Sequence, residues 1–418
     1  MKVLGIETSC DETAAAVVES AGQRRPKLLS NVVASSLDLH IPFGGVVPEI
    51  AARSHIESIL PVIDEALKDA FSRQKTADRR QGGSNSTVYG LPSTVSSDDL
   101  WSSIDAIAVT RGPGLLGSLL VGVLTARTLA IAKKKPLYGV NHVEAHVYAA
   151  FLMEKQPEFP LLALIVSGGH TQLVLFKDHF EYKVLGRTTD DAVGEAFDKV
   201  AKILGLPYPG GPSITEAAKK GDANAFNFPI AKIKKTRIVS HLDAAQGSSE
   251  ERAKRTNGTV SERQSVTDTA MRQEPSVQPA ALAGRMAVRG DYDFSFSGLK
   301  TAVLRAAQIQ SGHDYTFPSA KLPEALDEAQ KADIAASFQK TAVETLIKHL
   351  KDAEEEFEPK SIVIAGGVAA NQLLRAEAKK RLKTRVIYPD IKLCTDNAAM
   401  IAALGFYQAS NKRPAADP

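Results

Sequence analysis

At 418 residues the chain is long for a single hydrophobic core, so two lobes, or two lobes with insertions, are expected. Its 44% apolar and 24% charged residues describe an ordinary globular chain, and a net charge of +3 is too slight to define a partner. With Cys10 and Cys394 its only cysteines, a four-cysteine zinc site is excluded, and a reducing compartment is favoured over a disulfide framework.

In chain order, the first predicted elements are a strand (KVLGIE), a polar turn (TSCDET) and a second strand (AAAVVES). The first strand begins at the second residue. That leaves no room for a signal or transit peptide, so either the protein is cytosolic or a presequence is missing from this chain. Asp11 and Glu12 fall in the turn, where carboxylates bind a metal, orient an attacking amine or simply shape the turn; the last is the default. Residues about 72–103 are rich in Ser, Thr, Gln, Arg and Gly and are expected to form a disordered insertion. The longest apolar stretch, LLGSLLVGVLTARTLAIA at 115–132, carries two glycines and Arg127, which suits a buried helix better than a membrane span.

NHVEAHVYAAFL reads as a helix in which His142 and His146, four apart, project from one face and can share a metal. The zinc-protease pattern H-E-x-x-H is not met, because Glu144 follows His142 by two positions and points about 200° around the helix. LLALIVSGGHTQLVLF at 161–176 echoes the first hairpin: strand, small-residue turn, strand. Two such hairpins suggest a duplicated α/β architecture with a cleft between halves. In TTDDAVGEAFDKVAKILGL, Glu195/Lys199 and Asp198/Lys202 are spaced as salt bridges on a helix face. A second low-complexity stretch, about 233–287, is basic and is preceded by Lys232; it reads as a solvated loop, with contact to nucleic-acid phosphates as the alternative. In IVIAGGVAANQLLRAEAKKRL a strand meets a glycine turn and then a helix, an arrangement that presents unpaired N–H groups to an anion. Finally, CTDNAAMIAALGFY places Thr395, Asp396 and Asn397 before an alanine-rich helix, where each suits an N-cap and Asp396 is also a candidate third metal ligand.

Taken together, GIETSCDET, GGVVPEIAARSH, NHVEAH, VSGGHTQL, GEAFDKVAKILGLPYPGGP, FSFSGLKTAV, AGGVAAN and CTDNAAMIA resemble, in order, the universal tRNA threonylcarbamoyltransferase family. The resemblance implies an actin-like ATPase fold of the sugar-kinase and Hsp70 type. On the expected division, one lobe spans 1–135, the other 136–410, and 411–418 form a flexible tail. The resemblance also implies transfer of a threonylcarbamoyl group from threonylcarbamoyl-AMP to the exocyclic amine of the adenosine 3′ of the anticodon, in tRNAs reading codons that begin with A. It assigns His142, His146 and Asp396 to one divalent metal, zinc or iron, displacing the capping role for Asp396. The adenylate, or ATP, falls to Val166, Ser167, Gly168, Gly169, His170, Asp198, Gly211 and Asn371, which moves Asp198 from salt bridge to ligand contact. Asp11 or Glu12 becomes the candidate for positioning or deprotonating the amine.

The two insertions exceed those of typical bacterial members and suggest a mitochondrial version acting as a homodimer, fed by a separate adylate-forming synthase; a cytoplasmic version would need accessory subunits. No membrane association is expected. A metal-dependent peptidase and a non-catalytic nucleotide-binding scaffold are the competing readings. The displaced Glu144 argues against the first and the metal triad against the second.

Overall fold

A computed structural model describes residues 1–20, 25–81, 97–231 and 292–416. The elements of its first half are β1 (Lys2–Glu7), β2 (Glu12–Glu19), β3 (Lys27–Ser35), α1 (Leu37–His40), α2 (Pro48–Gln81), α3 (Ser97–Ser102), β4 (Ala106–Gly112), α4 (Leu116–Lys133), β5 (Leu137–Asn141) and α5 (His142–Tyr148). There follow β6 (Leu161–Val166), β7 (Thr171–Asp178), β8 (Glu181–Arg187), α6 (Val193–Leu204), α7 (Gly210–Ala218), α8 (Ser297–Gln310), α9 (Leu322–Ala325), α10 (Glu328–Phe357), β9 (Ser361–Ala365), α11 (Gln372–Arg381), β10 (Val386–Ile387) and α12 (Ala398–Ser410).

The strands form two five-stranded sheets in the orders β3-β2-β1-β4-β5 and β8-β7-β6-β9-β10. Each sheet has an antiparallel meander of three strands followed by two parallel strands, so the second repeats the first. This is the duplicated α/β architecture expected from the two hairpins, and it agrees with the actin-like fold that the family resemblance implies. The closing pairs are Glu7 with Ala14 and Val166 with Thr171, which puts both polar turns at corresponding ends of their sheets.

Strands β1, β6 and β9 are near-continuous apolar runs because both of their faces are covered. One face of the first sheet packs on α2 and α4, with Leu4, Ile6 and Val17 against Ile59, Ile63 and Ala126. Its other face shares a central core with the second sheet, α5 and α12, through Val3, Ala16, Ala163, Ile165 and Ile401. The remaining face of the second sheet is covered by α6, α8 and α10 through Leu162, Leu164, Phe197, Val303 and Phe338. Helix α12 is buried from Ala398 to Tyr407, which explains why it is apolar on every side. It lies so near β1 that a Cβ on Gly5 would come within 2.5 Å of the Ala398 carbonyl oxygen.

Several expectations need correction. A boundary at 135 cuts β5 from the first sheet, to which it is hydrogen-bonded through β4, and α12 packs on the strands of that same sheet although it lies last in the chain. The expected flexible tail is tied down as far as Ala416, whose N–H donates to the Leu137 carbonyl at 2.7 Å. The stretch 72–103 is helical at both ends, since α2 continues to Gln81 and α3 buries Leu100 and Trp101; 82–96 lie outside the described residues. Helix α4 is not a buried helix: Ser118, Gly122, Ala126 and Ala130 face inward, while Leu116, Leu120, Leu124 and Ile131 are exposed. By length and composition α4 is apolar enough to cross a membrane, yet its small residues pack on α2 and β4. The basic stretch 233–287 lies outside the described residues.

Candidate metal centre and substrate cleft

Helix α5 starts where it does because Asn141 caps it, its Oδ1 accepting the Glu144 N–H at 3.1 Å. His142 is therefore the first helical residue and His146 lies one turn on, with ring centroids 4.8 Å apart. The third member arrives from the loop before α12. Asn397 is the N-cap there, its Oδ1 accepting the Met400 N–H at 3.2 Å, which leaves the Asp396 carboxylate free. Asp396 Oδ1 stands 3.4 Å from His142 Nε2 and 3.5 Å from His146 Nε2.

These residues fit a metal. Ligand atoms on a tetrahedral ion with bonds of about 2.0–2.1 Å are roughly 3.4 Å apart, the spacing seen here and long for a good hydrogen bond. All three ligand atoms lie within 4.8 Å of one another. His146 is 1% exposed, and neither of its ring nitrogens has a hydrogen-bond partner, a costly state that a ligated ion relieves. The electrostatics agree. Burial opposes ionisation of Asp396, but His142, then His146 and His170, hold its carboxyl well below the usual range. Burial works against protonation of His142 too, yet Asp396 and Glu7 raise it well above an ordinary imidazole. His146 is pushed down to about 4 by burial and then by His142, so it stays a neutral donor. The surroundings favour one positive charge among these groups.

Behind His142 stands fully buried Glu7, whose Oε2 is 3.0 Å from His142 Nδ1 and accepts the Thr110 hydroxyl at 2.6 Å. Ser9 Oγ is 3.1 Å from the same nitrogen. Glu7, Ser9 and Thr110 escaped the sequence reading; the one available signal was an acidic residue ending an otherwise apolar strand.

The first hairpin turn is tied down from below. Ser36 donates from both its N–H and its hydroxyl to the Asp11 carbonyl, at 3.3 and 2.7 Å, and His55 Nε2 meets the Cys10 carbonyl at 2.9 Å. The Asp11 and Glu12 side chains thus sit on a fixed backbone. Burial, then the charges of Asp11 and Asp396, push the Glu12 carboxyl up to about 9, so it carries a proton at neutral pH. Tyr208 was also missed. Its hydroxyl is pushed up to about 12 by burial and then by Asp198 and Asp11.

Opposite lies the second turn. Ser167 N–H donates to the His170 carbonyl at 2.8 Å, and His170 N–H donates to Ser167 Oγ at 3.1 Å. A Cβ built on Gly168, Gly169 or Gly211 meets no atom within 4 Å, so all three present bare backbone to open space. The His170 ring is 6.2 Å from that of His142, joining this turn to the metal triad. Other predicted substrate residues are engaged by the protein itself. Val166 is buried within β6, and Asp198 Oδ1 accepts the Gly210 N–H at 2.7 Å. Asn371 caps α11 through its Oδ1, and its Nδ2 donates to Gln339 Oε1 at 2.9 Å. The expected Glu195–Lys199 ion pair is present at 2.9 Å. Glu144 is not part of the ligand cluster, and its Oε1 is buried without a hydrogen-bond partner.

Fold and site together define a two-lobed actin-like protein with a histidine, histidine and aspartate centre beside a glycine-lined cleft. A profile of the TsaD family, tRNA N6-adenosine threonylcarbamoyltransferase, matches residues 27–79, 97–249 and 236–403. The protein of that name from Symbiobacterium thermophilum is 43% identical over 408 residues, covering 97% of this chain and 91% of the relative. That of Dehalococcoides mccartyi is 40% identical, covering 98% and 94%, and that of Thermomicrobium roseum 41%, covering 98% and 92%. The chain belongs to the tRNA N6-adenosine threonylcarbamoyltransferase family and is a transferase that modifies tRNA.

Proposed function

We propose that the cleft transfers the threonylcarbamoyl group of threonylcarbamoyl-AMP to the exocyclic amine of the adenosine 3′ of the anticodon, in tRNAs reading codons that begin with A. The observation that carries this reading is the juxtaposition of His142, His146 and Asp396 with the Ser167 to His170 turn, whose glycines leave room for a ligand. A purine amine is a weak nucleophile because its lone pair is delocalised into the ring. When bound to His142, His146 and Asp396, zinc or iron supplies Lewis-acid polarisation of the acyl carbonyl and offsets negative charge on the AMP leaving group. Bare backbone at Gly168, Gly169 and Gly211 receives the adenylate, or ATP, where a side chain would exclude it. Asp198 and Asn371 support that surface by holding Gly210 and the start of α11. Asp11 positions the incoming amine and takes its proton, while Glu12, already protonated, donates a hydrogen bond.

A second copy of the chain is the partner we assign. Ile56 and Leu60 of α2 and Leu116, Leu120 and Leu124 of α4 are all more than half exposed, in rows four residues apart on neighbouring helices, with exposed Ile131 two turns further along α4. An apolar stripe of this kind marks an interface, and self-pairing across a two-fold axis covers it without another protein. A separate synthase supplies the adenylate. We place the protein in mitochondria, a reading supported only by the two long insertions and tested by imaging a tagged chain in cells. Glu144, which is not among the clustered ligand residues, disfavours a peptidase. The deciding experiment is reconstitution of purified protein with tRNA, threonine, bicarbonate, ATP and the adenylate-forming enzyme. Modified adenosine formed with no further protein supports the proposal; its absence while accessory subunits restore it would overturn the self-sufficient dimer.

A further inference from the structure

We infer that Glu7 is a positioning residue for the metal centre: its carboxylate holds His142 with the proton on Nδ1 and so keeps the Nε2 lone pair turned toward Asp396 and His146. The inference rests on the metal reading above. Glu7 ends β1 at the first hairpin and is 0% exposed, so no water competes for its oxygens. Three donors converge on it. Ser9 N–H donates to Oε1, while the Thr110 hydroxyl and His142 Nδ1 both lie against Oε2, at 2.6 and 3.0 Å. Ser9 Oγ, 3.1 Å from Nδ1, is a second acceptor for the same imidazole proton. Asp396 Oδ1 also faces His142, but at 3.4 Å from Nε2 against 3.0 Å between Glu7 Oε2 and Nδ1, and with Ser9 Oγ beside Nδ1 as well, so the shorter contacts favour the proton on Nδ1. A metal-bound histidine whose other nitrogen is fixed by a carboxylate is both oriented and made a better donor.

Glutamine at this position has nearly the same shape but only one oxygen for these donors. If its amide NH₂ turns toward Ser9, two N–H groups confront each other in a buried site. If it turns the other way, the Thr110 hydroxyl can rotate to accept, but His142 Nδ1 must accept as well, and the imidazole proton moves to Nε2. The lone pair needed for the metal is then blocked.

The test is competition for Zn²⁺ against a chelator of known affinity, using the full chain. Glu7→Gln should raise the Zn²⁺ Kd about 10- to 100-fold, while Thr110→Val, which removes a donor to the same oxygen but leaves the His142 contact, should change it less than about threefold. Equal affinity in Glu7→Gln and the unsubstituted protein would overturn the inference. Should Glu7→Gln fail to fold, ¹⁵N spectra of histidine-labelled, unsubstituted protein, recorded where the His142 imidazole is neutral, still decide it: an Nδ1–H tautomer is expected, and an Nε2–H tautomer refutes it. If the unsubstituted protein binds neither Zn²⁺ nor Fe²⁺, the metal reading fails on its own, and the tautomer measurement judges Glu7 separately.

Discussion

Replacing Gly194 with alanine should make the protein easier to unfold, whereas the same change at neighbouring Gly168 should not. Gly194 is the second residue of α6, and a Cβ there would lie 2.5 Å from the Ser167 carbonyl oxygen and 2.8 Å from the Gly168 Cα. Backbone on both sides cannot give way cheaply, so the helix start must lift off the turn, at about 1–3 kcal/mol. The better helix propensity of alanine returns up to about 1 kcal/mol, less than the middle of that range, leaving a net loss of up to about 2–3 kcal/mol. A methyl on Gly168 meets no protein atom within 4 Å. Stability should therefore change by less than about 1 kcal/mol, but the methyl enters the space assigned to the adenylate and should lower transfer about 10- to 100-fold. Urea unfolding followed by circular dichroism gives the first pair of numbers, and initial rates of adenosine modification give the second. Gly194→Ala as stable as the unsubstituted protein would refute the packing argument. Gly168→Ala with full activity would refute the location of the ligand.

Burial pushes the Glu144 carboxyl up to about 7 against the pull of Arg111 and Arg413. A raised carboxyl pKa means that the folded state holds the proton more tightly, so this group's contribution is fully present below about pH 4.5 and is lost as pH rises through 7. Glu144→Gln should therefore gain stability at pH 8, on the order of 2 kcal/mol, and much less at pH 5, as read by urea unfolding at both values. Asp11→Ala should retain metal yet lose transfer by about 10²- to 10⁴-fold; a normal rate of tRNA modification would remove Asp11 as the base. Leu120→Asp, placing a charge in the exposed stripe of α4, should shift the protein from dimer to monomer in sedimentation velocity without changing its helix content.

Much of this architecture is legible in the sequence because it is written in local terms. The hairpins show as apolar runs around small-residue turns, and the His142/His146 pair shows as helical spacing on a capped helix. What is hidden depends on which surfaces meet. Helix α12 is apolar all round, so its pattern identifies burial but not the sheet it joins, and only the fold shows that it returns to the first lobe. The leucines of α4 read as core because apolar residues usually are, while the contact with α2 and β4 is made by its small residues instead. Asn371 and Asp198 are assigned to the ligand by family resemblance, while Asn371 Oδ1 and Nδ2 and Asp198 Oδ1 also bond within the protein. Glu7 was invisible because its role comes from His142, 135 positions away.

The central claim is that the His142, His146 and Asp396 centre carries out the transfer, and His146→Ala tests it most directly because His146 has no other partner to lose. Metal content and tRNA modification should be measured on the same purified preparation, with circular dichroism confirming its fold. Loss of both metal and modification in a folded protein is the predicted result. Modification at the unsubstituted rate by protein stripped of metal would contradict the account.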